Sequence, residues 1–221
     1  MRKVKLTDQS IEHLRAIETA MQDLPVLPAG EINNSDTLLL HIDIVEGFIN
    51  RGALSSERVS ALVPYVREIN QKLDKTRKLF IRDEHPADAC EFNAYPPHCI
   101  IDTGESELIP EIKAFVKNDD EVFFKNSTNV FHADGFTDWL NEAEVKTIVL
   151  VGDVTDICVI QAGLSIQTWY NEKNIPIRII CVVDAVETFH LPATNHDGDL
   201  MNLFALYNLQ MNGIELVQSI V

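Results

Sequence analysis

Residues 147–170 read TIVLVGDVTDICVIQAGLSIQTWY, and this stretch contains an apolar run, a turn and an amphipathic segment in direct succession. The apolar run over 147–151 is short and rich in Ile and Val, which is typical of a strand buried on both faces. The apolar side chains over 157–170 recur at helical spacing and predict a helix. A buried strand that leads directly into a helix predicts one repeat of a parallel α/β sheet.

The same alternation of strand and helix extends on both sides of this stretch. Further buried strands are predicted at 38–45, 78–83, 121–124, 178–183 and 214–217. Amphipathic segments between them predict helices at 56–73, 106–116, 136–142 and 199–211. Parallel strands need crossover connections, and these place helices against the sheet. The pattern therefore predicts an α/β fold with a doubly wound, mainly parallel six-stranded sheet and helices on both faces.

The first 36 residues do not share this alternation. Apolar residues over 7–24 recur at helical spacing, Thr7 is a suitable N-cap, and Pro25 and Pro28 end the segment. We therefore divide the chain into a helical extension with its linker, residues 1–36, and an α/β domain, residues 37–221. We expect the helix to pack on the domain or on another subunit, and we expect a homo-oligomer.

The composition argues against several classes of protein. With 18 basic and 34 acidic residues, the chain has a formal net charge of −16, which argues against nucleic acid or anionic membranes as partners. No apolar run approaches the ~20 residues of a membrane span, and the N-terminus lacks the apolar core of a signal peptide. We therefore expect a cytoplasmic protein. In that reducing compartment, cysteines serve catalysis or metal binding more often than they form disulfides, and this chain has four of them.

Reactive side chains follow the predicted strands at the sheet edge where such folds bind ligands. Asp43 ends the first strand, Lys125 ends the third, and Cys158 follows the fourth at the start of a helix. The helix dipole and free N–H groups there favour a thiolate. With a cation and an acid/base beside it, this thiol forms a group suited to nucleophilic catalysis. The alternatives are a buried structural thiol and a structural Asp–Lys ion pair.

A second group of polar residues lies in the segment DEHPADACEFNAYPPH, residues 83–98. Asp83 and His85 alternate on a strand end, so their side chains point to the same side. Together with Glu91 and His98 they offer two carboxylates and two imidazoles, a set that suits zinc, iron or manganese. The alternative is an ordinary surface loop with scattered polar residues.

Three segments resemble the signature segments of the isochorismatase-like cysteine hydrolases: HIDIVEGF (41–48), FFKN (123–126) and GDVTDICV (152–159). That family has a Rossmann-like, three-layer, doubly wound fold and an Asp–Lys–Cys triad. The resemblance places the triad at Asp43, Lys125 and Cys158. It also implies a cis peptide before Val154, and an oxyanion hole made by the backbone N–H groups of Val154 and Cys158.

The segment 83–98 is similar to the metal loop of the nicotinamidase branch of this family. The resemblance implies that Asp83, His85, Glu91 and His98 hold a divalent metal. Zinc is expected, with iron or manganese as alternatives.

Three aromatic or imidazole side chains are candidates for substrate binding. Phe48 and Tyr95 match the aromatic walls of the family's nicotinamide pocket. His132 stands in a loop where relatives often carry Tyr or Ser, and it is a candidate pocket residue. Val45 and Glu46 depart from the D-x-Q that commonly follows the first strand. These departures bear on the substrate rather than on the class of reaction.

Taken together, the resemblance implies a metal-dependent cysteine amidohydrolase that converts nicotinamide and water to nicotinate and ammonia through a Cys158 thioester, a step in NAD salvage. The alternatives on the same triad are hydrolysis of another small amide, of a ureido or N-carbamoyl substrate, or of isochorismate. A binding module that had lost turnover would show a broken triad. A redox protein would need a resolving cysteine, and no C-x-x-C occurs in the sequence. The expected partner is a small-molecule substrate.

Overall fold

The structure is a computed structural model that describes residues 5–221. Its central sheet consists of β1 (Thr37–Ile42), β2 (Arg77–Asp83), β3 (Val122–Lys125), β4 (Thr147–Asp153), β5 (Arg178–Glu187) and β6 (Glu215–Val217). The strand order is β3-β2-β1-β4-β5-β6, and each neighbouring pair is parallel. The predicted doubly wound, six-stranded parallel sheet is confirmed.

Helices cover both faces of this sheet. They are α1 (Asp8–Gln22), α2 (Glu46–Ile49), α3 (Glu57–Ser60), α4 (Val63–Lys72), α5 (Pro110–Lys113), α6 (Phe136–Glu142), α7 (Ile160–Glu172) and α8 (Gly198–Met211). Alternate residues of β1 point to opposite faces. Leu39 therefore packs into one apolar cluster with α4, whereas Leu38 and Leu40 pack into a second with α6, α7 and α8. Within residues 5–221, no helix is both long and apolar enough to cross a membrane.

The strand order reverses direction between β1 and β4. From β1 the chain moves outward through β2 and β3, and it then returns to β4 on the other side of β1. In open parallel sheets, a crevice forms outside the carboxyl ends of the strands at such a reversal. Ile42 and Gly152 are paired at these ends, so the segments that follow β1 and β4 begin side by side.

Two predicted helices differ from the structure. The helix predicted at 56–73 is divided into α3 and α4, because Pro64 in the first turn of α4 has no N–H with which to continue α3. The helix predicted at 106–116 is reduced to α5. The chain before α5 instead pairs with the segment after β1, where the Glu46 N–H donates to the Glu107 carbonyl over 2.8 Å.

The N-terminal helix packs on the domain of the same chain. Thr7 caps α1 as predicted, since its hydroxyl accepts a backbone N–H over 3.2 Å. The helix contacts α8, and Met21 and Leu24 pack against the apolar cluster on that face. The linker joins the end of the chain, with the Leu27 N–H donating to the Ser219 carbonyl over 2.9 Å. The domain boundary at residue 36 stays a prediction, and residues 1–4 lie outside the described residues.

Gly152 is required where β4 approaches β1. Its φ is +121°, and a Cβ added there would overlap the backbone of Ile42. We expect Gly152→Ala to lower the free energy of unfolding by more than about 3 kcal/mol, because overpacking and an unfavourable φ act together.

Urea denaturation tests this expectation, with Gly30→Ala as the matched control. A Cβ at Gly30 meets nothing within 4 Å, so the control should differ from wild type by less than about 0.5 kcal/mol. Equal stability of Gly152→Ala and wild type would contradict this account of the β1–β4 contact.

Candidate active site

Four functional side chains meet at the carboxyl edge of the sheet. Asp43 follows β1, Asp83 ends β2, Lys125 ends β3 and Cys158 follows β4. Asp83 and Lys125 are paired across β2 and β3, which places them side by side. All four residues are buried. The structure thus brings together the three residues of the expected triad and the first of the expected metal ligands.

Two unusual backbone features position the acid and the thiol. Asp43 has a φ of +53°, a left-handed conformation that Asp adopts more readily than most residues, and this turns the chain out of β1. After β4, the Asp153–Val154 peptide is cis, as the resemblance implied. One π-helical turn, Thr155–Val159, then carries Cys158 directly before α7.

The Lys125 ammonium is the centre of this group. Its Nζ lies 2.8 Å from Asp43 Oδ2, 2.7 Å from Asp83 Oδ1 and 3.6 Å from Cys158 Sγ. The side chains of Lys125 and both aspartates are at most 1% exposed. One buried cation therefore pairs with two carboxylates and contacts the thiol.

The two aspartates have different proton affinities. Burial raises the pKa of Asp43 to about 6; Lys125 opposes this shift and the Asp83 charge adds to it. Burial also acts to raise the pKa of Asp83, but Lys125 and the hydrogen bonds from two histidines outweigh it and hold that pKa below its ordinary value. Asp43 is therefore the carboxylate that is suited to exchange a proton near neutral pH.

The thiol differs from the expectation drawn from the sequence. Burial raises the pKa of Cys158 well above its ordinary value; Lys125 opposes this, and the carboxylates of Asp43 and Asp83 raise the pKa further. The expected stabilisation of a thiolate by a helix N-terminus does not prevail over these effects. The structure favours a neutral thiol beside a carboxylate that can accept its proton.

The predicted metal ligands also converge. Asp83, His85, Glu91 and His98 each offer a ligand atom, and these atoms lie within 4.8 Å of one another. The Nε2 atoms of His85 and His98 are 2.9 Å and 3.1 Å from Asp83 Oδ2. Carboxylate oxygens and imidazole nitrogens at this spacing form a group that can hold a divalent metal ion.

Neighbouring groups orient both imidazoles. Nδ1 of His85 lies 2.7 Å from Asn126 Oδ1, and Nδ1 of His98 lies 2.8 Å from the Pro96 carbonyl. Each Nδ1 thus donates a hydrogen bond, and Nε2 of each ring, which faces Asp83 here, is the atom that would ligate a metal ion once it has lost its proton. Asn126 was not singled out from the sequence, although its position directly after Lys125 at a strand end was a usable signal.

An aromatic cavity opens above the two groups. Its lining includes Phe48, Tyr95 and Phe189 as aromatic walls, with Cys158 exposed to the same cavity. The ring centroids of Phe48 and Tyr95 lie 5.6 Å and 6.3 Å from that of His98. Phe48 and Tyr95 thus line the cavity, and their role in substrate binding stays a prediction.

The structure does not place His132 with the described residues that line this cavity. His132 ends a short 3₁₀ turn that begins at Val130, and the Asn129 side chain caps this turn by accepting the Phe131 N–H over 3.0 Å. Thr128, earlier in the same loop, lines the cavity instead. A role for His132 in substrate binding stays a prediction.

Sequence reasoning also missed several lining residues: Leu54, Thr128, Ile157 and Phe189. Phe189 lies just beyond the end of β5, so the rule that ligands bind at strand ends could have identified it. Leu54 and Thr128 carry no signal in the sequence, because only the packing of the loops brings them to the cavity.

Comparison with known proteins agrees with this fold. Residues 37–212 match the isochorismatase domain family. The chain is 31% identical over 214 residues to Nicotinamidase 1 of Arabidopsis thaliana, covering 85% of this chain and 87% of that protein. A pyrazinamidase/nicotinamidase from Streptococcus mutans superposes with a TM-score of 0.68 at 24% identity, covering 82% of this chain and 99% of that one. An N-carbamoylsarcosine amidase from Thermoplasma acidophilum gives 0.63 at 22% identity, covering 82% and 95%.

The site lies where the strand order of a doubly wound sheet reverses, between β1 and β4. This position and the matches define the protein as a hydrolase. The chain belongs to the isochorismatase family. The resemblance seen in its sequence is confirmed.

The buried cation should be essential to the stability of this edge of the sheet. We expect Lys125→Met to lower the free energy of unfolding by about 3–5 kcal/mol near neutral pH, because two buried carboxylates lose their counter-ion. Without Lys125 their pKa values in the folded protein rise above those in the unfolded chain, so the folded state gains protons preferentially. The difference in the free energy of unfolding between wild type and Lys125→Met should therefore shrink as the pH falls from about 7.5 to about 5.

Urea denaturation at several pH values measures this deficit. Lys113→Met is the control, since the Lys113 side chain is 65% exposed and 3.4 Å from Glu107; an exposed pair of this kind contributes at most about 1 kcal/mol. A deficit for Lys125→Met that grows as the pH falls would contradict the electrostatic account.

Proposed function

We propose that this chain is a metal-dependent cysteine amidohydrolase that converts nicotinamide and water to nicotinate and ammonia. The observation that carries the proposal is the double role of Asp83. Its Oδ1 contacts the ammonium of the catalytic group, and its Oδ2 contacts both histidines of the metal-ligating group. One carboxylate thus joins a nucleophile to a metal-ligating group in one cavity, and the similarity to Nicotinamidase 1 supports the same substrate.

Asp43 acts first as a general base. Asp43 Oδ2 pairs with Lys125 Nζ at 2.8 Å, whereas Oδ1 has no hydrogen-bond partner among the described residues, so a lone pair is available for the thiol proton. Its pKa of about 6 leaves it mostly ionised at neutral pH, yet basic enough to take a proton in the transition state. Lys125 stabilises the developing thiolate, from which its ammonium is 3.6 Å away.

The Cys158 sulfur then attacks the carboxamide carbon. The backbone N–H groups of Val154 and Cys158 are the proposed donors to the oxyanion that forms on the carboxamide oxygen. As the C–N bond breaks, Asp43 returns its proton to the departing nitrogen, and ammonia leaves a thioester on Cys158.

Hydrolysis of the thioester uses the same residues. Asp43, ionised again, takes a proton from a water molecule, whose oxygen attacks the thioester carbon. The C–S bond breaks, the sulfur regains a proton from Asp43, and the carboxylic acid is released. One carboxylate therefore serves both half-reactions.

The metal-ligating group is proposed to be Asp83, His85, Glu91 and His98, with zinc as the expected ion and iron or manganese as alternatives. The buried carboxylate and the oriented Nε2 atoms fit such an ion. When bound, the metal supplies a Lewis-acidic position that can hold the pyridine nitrogen of the substrate. The planar ring would lie between the walls formed by Phe48 and Tyr95.

The similarity to an N-carbamoylsarcosine amidase keeps a second substrate class open, because the same triad chemistry applies to N-carbamoyl and ureido compounds. The aromatic walls and the metal-ligating group favour a planar aromatic amide over these substrates. A redox role for the thiol has little support: Cys181 pairs with Leu150 in the middle of the sheet, whereas Cys158 follows the end of β4.

Release of ammonia from nicotinamide tests the reaction directly. We expect turnover by the wild-type protein and a loss of more than about a thousandfold in Cys158→Ala, because Cys158 carries the only thiol among the described residues that line the cavity. Cys181→Ala is the control, as this thiol is buried inside β5. Full activity in Cys158→Ala would contradict the mechanism. Absence of release from metal-loaded wild type would exclude nicotinamide and direct the search to ureido and N-carbamoyl substrates.

Metal content tests the second group of residues. We expect the purified protein to bind a divalent ion, and His98→Ala to weaken that binding by at least about 100-fold, since one ligand and its orientation are lost. Elemental analysis and competition with a chelator measure this affinity. The control is His13→Ala, whose imidazole is exposed on α1. Equal metal affinity in the two variants would contradict the assignment, as would full activity after complete metal removal.

A further inference from the structure

Asp156 lies in the π-helical turn with Cys158, but its carboxylate contacts a different segment. Oδ1 accepts a hydrogen bond from Thr188 Oγ1 over 2.6 Å, and Oδ2 accepts one from His196 Nε2 over 2.9 Å. The side chains of Asp156 and His196 are 13% and 17% exposed, and Thr188 is fully buried. Hydrogen bonds to an ionised carboxylate in such partly dry surroundings are stronger than neutral ones.

Both donors belong to the loop that carries Phe189, a wall of the cavity. The centroid of the Phe189 ring lies 4.7 Å from that of the His196 imidazole, with 45° between the planes. Phe189 itself is only 4% exposed. The imidazole of His196 therefore lies in contact with the wall residue on one side and with Asp156 on the other.

The backbone holds His196 in place. The Leu191 N–H donates to the His196 carbonyl over 2.8 Å, and the His196 N–H donates to the Leu191 carbonyl over 3.1 Å. Before the loop, Arg58 forms an ion pair with Glu187 at 3.0 Å. Two backbone hydrogen bonds thus close the loop between Leu191 and His196. Because the backbone of His196 is held, its side chain has a fixed position against the Phe189 ring.

His196 acts through a single nitrogen. Its Nδ1 is buried and has no hydrogen-bond partner among the described residues, whereas Nε2 faces the Asp156 carboxylate. The imidazole therefore serves as a donor through Nε2, which is a role that the amide of Gln can also fill.

We propose that Asp156 and His196 are a positioning pair: His196 holds Phe189 against the bound aromatic ring, and Asp156 ties that wall to the turn carrying Cys158. The inference rests on the proposed function, which supplies the aromatic substrate. Neither residue lines the cavity, so both act through others. The pair fixes the separation of the wall from the nucleophile, and its loss weakens binding of the ring before it affects attack by the sulfur.

Two variants of His196 test the pair. His196→Leu keeps an apolar contact with Phe189 but removes the donor, and His196→Gln keeps a donor. We expect His196→Leu to raise KM for nicotinamide about tenfold with kcat changed less than about twofold, because ground-state positioning is lost. His196→Gln should return KM to within about threefold of wild type. A merely structural role would instead lower the amount of active protein and leave KM unchanged.

Hydrogen exchange gives a readout that needs no substrate. The amides of Leu191 and His196 should exchange faster in His196→Leu than in wild type, and His196→Gln should resemble wild type. Unchanged KM and exchange in His196→Leu would overturn the pair, as would a His196→Gln variant impaired as much as His196→Leu. If wild type does not hydrolyse nicotinamide, the proposed function fails, whereas the exchange comparison still decides whether the pair holds the wall.

Discussion

The buried ammonium of Lys125 is the interaction on which this site depends. It lies within 2.8 Å of two carboxylates and 3.6 Å from a thiol, at a point where almost no water reaches. Burying three charges carries a large desolvation cost, which only close and well-directed contacts offset. The ends of β1, β2 and β3 must therefore stay in register, and the parallel sheet with its closely packed β1–β4 pair provides that register.

Asp83 extends this constraint to the metal-ligating group. With one oxygen on Lys125 and the other on His85 and His98, it fixes both groups with respect to each other. Any ion held by these residues would therefore lie at a defined place relative to Cys158. In the proposed reaction, that geometric link would allow a substrate of one size to be held by its ring nitrogen at one end and attacked at its carboxamide at the other.

Much of this arrangement could be predicted from the sequence, because it depends on local patterns. Short apolar runs predicted each strand of the sheet, and the rule that reactive groups follow parallel strands identified Asp43, Lys125 and Cys158. Helix 136–142 has the predicted bounds, since its apolar spacing is uninterrupted. The helix predicted at 106–116 failed because backbone pairing with the segment after β1 prevails there over side-chain periodicity.

What escaped prediction depends on contacts between distant segments. The high proton affinity of Cys158 arises from burial and from carboxylates on β1 and β2, which its own helix does not reveal. Thr128 reaches the cavity through the loop after β3, and the loop that carries Phe189 is joined by hydrogen bonds to Asp156 in the turn after β4.

The covalent intermediate is the most direct test of the whole account. Wild-type protein turning over nicotinamide would be quenched in acid, digested, and the peptide containing Cys158 weighed by mass spectrometry. A parallel reaction would contain hydroxylamine to intercept the thioester. We expect a nicotinoyl group on Cys158 and formation of the corresponding hydroxamate. Nicotinate production with Cys158 unmodified and no hydroxamate would contradict it.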